Sequence, residues 1–223
     1  MERSSRPFRA PVAVIVPFAL ALALMAASCS SGTTTAISPG NATPGATASP
    51  PSSGQSPVPS QKPVPTESNP PGDIPDNTVF VQYTAKAGGF SIKVPEGWAR
   101  KNTSSSVTFT SALNSIGASW LSASTAPTVS TARSNDVPAL QQSELAFALQ
   151  SVKAVSLPGG SAVLITFQEN STPNAVTGKQ YRMDVLRFEL FKGGTEAVLT
   201  LTSPVGADNV DPWRTVSESF RWS

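Results

Sequence analysis

SVKAVSLPGGSAVLITFQEN (residues 151–170) and QYRMDVLRFELFKGGTEAVLTLTS (residues 180–203) are the stretches that decide the fold. Their β-branched and aromatic residues predict four consecutive strands, at 151–157, 162–169, 180–192 and 195–203. The pairs Gly159-Gly160 and Gly193-Gly194 are two-residue hairpin signals, so these strands are expected to pair antiparallel. Because both faces of the third strand carry apolar side chains, the sheet is expected to be covered on each side.

The preceding and following segments complete an α+β domain. Alternating apolar residues predict four earlier strands, at 79–83, 90–94, 107–110 and 116–122. A helix is expected over 136–150, with Asp136 as its cap and with Leu140 and Phe147 on its apolar face. Asp211-Pro212-Trp213 is typical of the start of a short last helix. The sequence therefore predicts one domain over residues 78–223, an antiparallel β-sheet flanked by helices.

The N-terminal segment has the organisation of an export signal. Arg3, Arg6 and Arg9 precede an apolar stretch of 15 residues, Pro11 to Met25. That stretch has the length of a signal sequence and is shorter than the roughly 20 residues of a membrane-spanning helix. We therefore expect the chain to be exported.

Cys29 is the only cysteine of the chain, and it follows the small residues Ala26, Ala27 and Ser28. This arrangement resembles a bacterial lipobox, in which the cysteine is acylated and the preceding peptide is removed. The expectation is a signal peptide over residues 1–28 and a Cys29 that carries acyl chains such as palmitate, on the extracytoplasmic face of the cell membrane. The alternatives are an ordinary secretory peptide with a free thiol and an uncleaved anchor.

Residues 29–77 are predicted to be a disordered tether. The 48 residues after Cys29 contain 11 prolines, no aromatic residue and only four large aliphatic residues, and Ser, Thr, Gly and Ala dominate the rest. Such a segment buries too little apolar surface to offset the entropy of ordering it. It is interpreted as a spacer between the membrane and the domain, with O-glycosylation as a weaker alternative.

Net charge argues against nucleic acid as a partner. Removing Arg3, Arg6 and Arg9 with Glu2 from the 16 basic and 14 acidic residues leaves 13 of each. The mature chain is therefore neutral, without the basic excess that phosphate backbones require.

The residue types exclude several kinds of active site. The chain has no histidine and one cysteine, so catalytic Ser-His-Asp and Cys-His groups and histidine-ligated metal are ruled out, and no cofactor is expected. Glu169, Asp184 and Glu189 lie on neighbouring predicted strands, where two of them could form an acid/base pair. The favoured interpretation is solvated cross-strand charge pairs with Arg182 and Arg187. No enzymatic activity is therefore predicted.

Three segments of the domain resemble the PsbP-like family: FSIKVPEGW (residues 90–98), the strand that contains Tyr181, and the run from Trp213 to Phe220. With the lipobox and the tether, the whole plan is similar to that of actinobacterial lipoproteins of the LpqN type. The resemblance implies an antiparallel sheet between helices and a non-catalytic role as a binding or assembly subunit. A histidine-based metal site is not implied, because this chain has no histidine.

The predicted function is that of a non-catalytic protein-binding or assembly module of the cell envelope. Its predicted contact edge is the polar loop 170–179, with Asn170, Pro173, Asn174 and Lys179 as the candidate residues. The alternative is a carrier that holds a small apolar ligand, such as a lipid, between the helix at 136–150 and the sheet.

Overall fold

A seven-stranded antiparallel sheet organises the computed structural model, which describes residues 61–223. Its strand order is β3-β4-β5-β9-β8-β7-β6, and a smaller antiparallel sheet has the order β1-β2-β10. The strands are β1 (Phe80–Ala85), β2 (Phe90–Pro95), β3 (Ala99–Asn102), β4 (Ser106–Ser111), β5 (Asn114–Ser122), β6 (Ala148–Leu157), β7 (Gly160–Asn170), β8 (Arg182–Lys192), β9 (Thr195–Pro204) and β10 (Arg221–Trp222). The predicted α+β class with an antiparallel sheet is confirmed. The exposed strand β3 and the two-residue strand β10 were not predicted.

The first helical segment lies earlier in the chain than predicted. It consists of α1 (Val129–Thr131), a π-helical turn (Ala132–Asp136) and α2 (Val137–Ser143). Thr128 caps it through a reciprocal pair of hydrogen bonds with Thr131, whereas Asp136 lies inside the segment and caps nothing. The helix ends because Glu144 adopts an extended conformation and Ala146 a left-handed one (φ 51°). The predicted range 136–150 was therefore wrong at both ends.

One face of the large sheet packs against the small sheet and the last helix, α3 (Val210–Glu218). Strand pairing places Leu164 opposite Phe188 and Phe188 opposite Leu199, so their side chains share this face. Phe90 stacks on Phe220 with ring centroids 5.0 Å apart. Fully burying each such side chain stabilises the fold by roughly 1.5–3 kcal/mol. This face therefore carries the larger hydrophobic core.

The opposite face of the large sheet is covered by the first helical segment. Val163, Ile165 and Phe167 of β7 form a second buried cluster with Leu140 of α2. Phe147 packs against Phe167 with ring centroids 5.0 Å apart. Both faces are thus covered, as the apolar residues on both sides of the strands predicted.

The two glycine pairs behave differently. Gly193 and Gly194 form the two-residue turn between β8 and β9, both with positive φ (57° and 84°), as predicted. The turn between β6 and β7 instead consists of Pro158 and Gly159, one residue earlier than predicted. An added Cβ at Gly159 would lie 2.7 Å from the Phe220 ring, so the close approach of α3's end requires glycine there.

Residues 61–77, which we call the strap, pack along the domain without helix or strand. Ile74 is 5% exposed and belongs to the larger core. Its N–H donates to Asn209 Oδ1 (2.8 Å), and Gly72 O accepts from Asn114 Nδ2 (2.6 Å). Residues before Thr78, the predicted start of the folded part, therefore pack with the domain. The local sequence did not indicate this, because the residues that bind the strap are distant in the chain.

Several predictions concern residues outside the described range. The signal peptide, its cleavage residues Ala26 to Ser28, the lipidated Cys29 and the tether up to residue 60 are among them. Within residues 61–223, none of the helices combines the length and the apolar character that a membrane crossing needs.

Candidate functional site

A groove of about 570 Å³ lies between α3 and the face of the large sheet that α3 covers only in part. Leu186 of β8 is half-buried in its floor, and Val210 at the start of α3 is 71% exposed at its mouth. The lining residues are Gln150, Leu157, Thr166, Gln168, Asp184, Leu186, Ser203, Ala207, Asn209, Val210, Trp213, Arg214, Ser217 and Glu218. An open concave surface of this size, with apolar and polar groups together, is the default candidate for a binding site.

Trp213 forms the apolar wall of the groove. Its Nε1–H donates to Ser203 Oγ (3.3 Å), which fixes the ring against the sheet. The ring also meets Trp98 edge-on, with centroids 6.4 Å apart. Because the polar edge of the indole is bonded inside the domain, the side of the ring that borders the groove is apolar.

Polar and acidic side chains also line the groove. Gln168 Nε2 donates to Asp184 Oδ1 (2.9 Å), and Gln168 Oε1 accepts from Arg182 Nε (3.4 Å). Glu218 adds a second carboxylate, while Arg214 is paired with Asp211 (2.6 Å) on the surface. The groove therefore suits a ligand segment that combines apolar groups with hydrogen-bond donors or positive charge.

Some residues of the predicted contact loop 170–179 are exposed, and others contact the rest of the chain. Asn174 Oδ1 accepts the N–H groups of Val176 and Thr177 (both 3.0 Å), which shapes a turn whose tip, Val176, is 92% exposed. Pro173 and Asn174 are exposed as expected. Asn170 is 3% exposed, because residues of the chain itself cover its side chain.

Two of the loop's candidate residues instead contact the strap. Asn170 Oδ1 accepts from Val64 N–H (3.1 Å), and Asn170 Nδ2 donates to Lys62 O (2.9 Å). Lys179 Nζ lies 2.6 Å from Glu67 Oε1 and 4.4 Å from the centre of the Tyr181 ring. The base of the loop is therefore occupied by the chain's own N-terminal segment.

The three carboxylates considered for acid/base chemistry are not brought together. Glu169 and Glu189 lie on the face that the first helical segment covers, and Asp184 lies on the groove side. Glu189 is fully buried and pairs with Arg187 Nε (2.8 Å), an ion pair along one strand. Burial raises the pKa of Glu189, partly offset by the hydrogen bond from Arg187. Glu189 and Arg187 do form a charge pair, but it is buried and lies within one strand, unlike the solvated cross-strand pairs that the sequence predicted.

Glu169 forms a carboxyl pair that the sequence did not predict. Burial raises its pKa to about 8, and the neighbouring Glu144 carboxylate adds to the shift through a hydrogen bond and its charge. The charge of Arg182 acts in the opposite direction. A pKa near 8 favours the protonated form of Glu169 at neutral pH, and that carboxyl group can donate a hydrogen bond to Glu144. Neither residue lines the groove.

Arg182 links this carboxyl pair to the loop and the groove. Its Nη1 donates to Ala146 O (2.8 Å) and to Asn170 Oδ1 (3.1 Å), and its Nε reaches Gln168. Burial lowers the pKa of Arg182, and the Asp184 and Glu169 charges counter that shift. Within residues 61–223, no cluster of three or more acidic or sulfur ligands is placed to hold a metal ion.

The sequence did not predict the groove or the strap contacts. Asn209 and Trp213 lie at the start of α3 and Leu186 lies in β8, and nothing in the local patterns relates these two elements. Asn114 and Asn209 precede or begin regular elements, where asparagine is ordinarily a turn or cap residue. Only the strap's backbone shows what their amides bind.

No protein-family model matches the chain, and no curated protein matches it in sequence. In fold it is similar to cyanobacterial PsbP (CyanoP) from Synechocystis sp. PCC 6803, with 15% identity and a TM-score of 0.48 over 70% of this chain and 100% of that chain. It is also similar to the Saccharomyces cerevisiae Ran-binding protein Mog1p, with 9% identity and a TM-score of 0.44 over 66% of this chain and 96% of that chain. Such similarities assign no role to any residue of this chain.

Proposed function

We propose that the chain is an extracytoplasmic lipoprotein whose folded part is a non-catalytic binding or assembly module of the cell envelope. The observation that carries the binding role is the open groove beside α3, lined by the half-buried Leu186, by Trp213 and by the carboxylates of Asp184 and Glu218. The neutral mature chain and the lipobox at Cys29 support an envelope location over a nucleic-acid-binding role. Separation of Asp184 from Glu169 and Glu189 on opposite faces of the sheet speaks against carboxylate catalysis.

A segment of a partner protein suits this groove better than a lipid. A lipid carrier encloses most of its apolar ligand, because exposed methylene groups lose the free energy of burial. This groove is open, and polar side chains interrupt an exposed lining that is mostly apolar. A partner segment with mixed side chains can satisfy both kinds of group.

The carrier remains the second candidate, on the α3 side of the sheet. The expected position between the first helix and the sheet does not suit it, because Leu140 and Phe147 pack into a closed cluster with Phe167. The groove volume of about 570 Å³ is within the range of small-molecule sites.

Photo-crosslinking in intact cells tests the partner. Replacing Val210 by benzoylphenylalanine should crosslink the chain to a defined envelope protein, because residue 210 lies at the mouth of the groove. The matched control is the same replacement at Leu121, which is 51% exposed and lies outside the groove. Equal crosslinking from both positions would contradict the groove as the binding surface. A lipid that co-purifies in native mass spectrometry and is lost in Val210→Glu would favour the carrier.

The anchor is tested with a clickable fatty acid. Cys29→Ser should abolish incorporation of the label and leave the protein uncleaved or secreted, since the thiol is the only acceptor of its kind in the chain. Ser30→Ala, which leaves the thiol in place, should incorporate label as the unaltered chain does. Label that persists in Cys29→Ser would contradict lipidation at this residue.

A further inference from the structure

Two asparagine side chains hold the strap in the same way. Asn209 Oδ1 accepts Ile74 N–H (2.8 Å) while its Nδ2 donates to Gly72 O (2.9 Å). Asn170 Oδ1 accepts Val64 N–H (3.1 Å) while its Nδ2 donates to Lys62 O (2.9 Å). In an extended chain the N–H of a residue and the C=O two residues earlier point to the same side, so one amide can bind both. Each asparagine therefore recognises extended backbone.

The two halves of the strap are held with different strength. Ile74 in the second half is buried in the main core. The first half, residues 61–67, has no buried side chain and rests on polar contacts alone. Besides the Asn170 bonds, these are Gln180 Nε2 to Gln61 Oε1 (3.0 Å) and the half-exposed pair of Lys179 with Glu67. Each such contact contributes about 1 kcal/mol or less, so residues 61–67 can detach from the domain with a small loss of free energy.

The domain side of these contacts is held independently of the strap. Asn170 is oriented by Arg182 Nη1 (3.1 Å), and its own N–H donates to Leu145 O (2.7 Å). Gln180 Nε2 also donates to Ser171 O (2.7 Å). Because these bonds do not involve residues 61–67, we expect Asn170 and Gln180 to keep their orientation when that segment detaches, as a preorganised receptor.

We propose that Asn170, Lys179 and Gln180 form a binding site for an extended acidic segment of a partner protein, which residues 61–67 fill in the absence of that partner. Asn170 selects an extended backbone, because its amide binds one N–H and the C=O two residues earlier. Lys179 selects a carboxylate three residues after that N–H, the spacing from Val64 to Glu67. This inference deepens the proposed binding role and rests on it for its biological meaning. The partner must displace a segment with an effective concentration on the order of millimolar, because that segment is covalently attached.

The test measures binding of a fluorescein-labelled peptide, QKPVPTESNP (residues 61–70), by fluorescence anisotropy to the full chain in detergent. Val64→Pro removes the N–H that Asn170 accepts, and Glu67→Lys places a cation opposite Lys179. A chain with both substitutions releases its own first half without any change in the receptor. We expect the peptide to bind this chain at least tenfold more tightly than the unaltered chain, since the competing segment is gone.

Matched controls distinguish specific recognition from nonspecific binding of the peptide. A peptide with the same two substitutions should bind the released chain at least tenfold more weakly. Lys179→Glu in the released chain should weaken the original peptide and strengthen a peptide in which only Glu67 is changed to Lys. Equal binding to released and unaltered chains, no binding to either, or a large drop in the melting temperature of the released chain would overturn the proposal. Because Val210 lies outside this surface, the crosslinking result at the groove can succeed or fail independently.

Discussion

A chain that begins at Thr78 is expected to lose roughly 3–5 kcal/mol of unfolding free energy relative to one that begins at Gln61. Removing the buried Ile74 side chain accounts for most of the loss, since deletion of a buried isoleucine costs about 2–5 kcal/mol. The amides of Asn114 and Asn209 also lose the strap carbonyl and N–H that they bind, at about 1 kcal/mol for each lost bond. The shorter chain no longer pays the conformational entropy of ordering the strap, which offsets part of this sum. For a domain of this size the melting temperature should fall by about 10 °C.

Urea and thermal unfolding of three chains test this expectation. A chain that begins at Pro70 keeps Gly72 and Ile74 and should retain almost all of the stability, because it lacks only the polar contacts of the first half. Chains beginning at residues 61 and 78 that unfold at the same urea concentration would contradict a stabilising strap. A large loss of unfolding free energy in the chain that begins at Pro70 would show that residues 61–69 make the main contribution to stability.

The second large effect is a loss of stability as pH rises. The pKa of Glu169 is raised from 4.5 to about 8 in the folded protein, so the folded state binds its proton more tightly than the unfolded state. Stability from this group is fully present below pH 4.5 and is lost as pH rises through about 8. Expressed in full as unfolding free energy, this pKa shift corresponds to about 5 kcal/mol. We expect roughly 2–3 kcal/mol because water reaches the half-buried pair.

Glu169→Gln is the variant that isolates this group. Its amide can donate to Glu144 at every pH, so it imitates the protonated carboxyl. The difference in unfolding free energy between pH 5 and pH 8.5 should shrink by the same 2–3 kcal/mol in urea titrations. The unfolding free energy of the variant should still decline slightly as pH rises, because burial also raises the pKa values of Glu189 and Glu196. A variant with an unchanged pH profile would show that Glu169 is ionised in the folded protein at neutral pH.

Much of the fold could be predicted because it depends on local alternation. Leu186, Phe188 and Leu190 share a face simply because strand side chains alternate, and Gly193-Gly194 defines a turn that other residues strain to form. The first helix was misplaced for a related reason. Its apolar spacing continues through Phe147, but the extended conformation at Glu144 and the positive φ at Ala146 arise where the chain meets β7 and Arg182.

The candidate site was predicted less well than the fold. Loop 170–179 was expected to face a partner because it is polar, and its tip is exposed. Its base was not predicted to be occupied, since the contact of Asn170 with Val64 joins residues 106 apart in the chain. The groove likewise depends on where α3 lies relative to β8, which no local pattern specifies.

The sequence by itself determined the antiparallel α+β class, because that class rests on short-range patterns of residue type and spacing, and attachment at Cys29 stays a prediction from such a pattern. Tertiary structure alone decided that residues 61–77 belong with the domain, that Asp184 and Glu169 lie on opposite faces, and that a groove opens beside Trp213. The physical reason is the same for all three. A weakly apolar segment, a carboxylate or a cavity acquires its role from groups that only the folded chain brings within hydrogen-bonding or van der Waals distance.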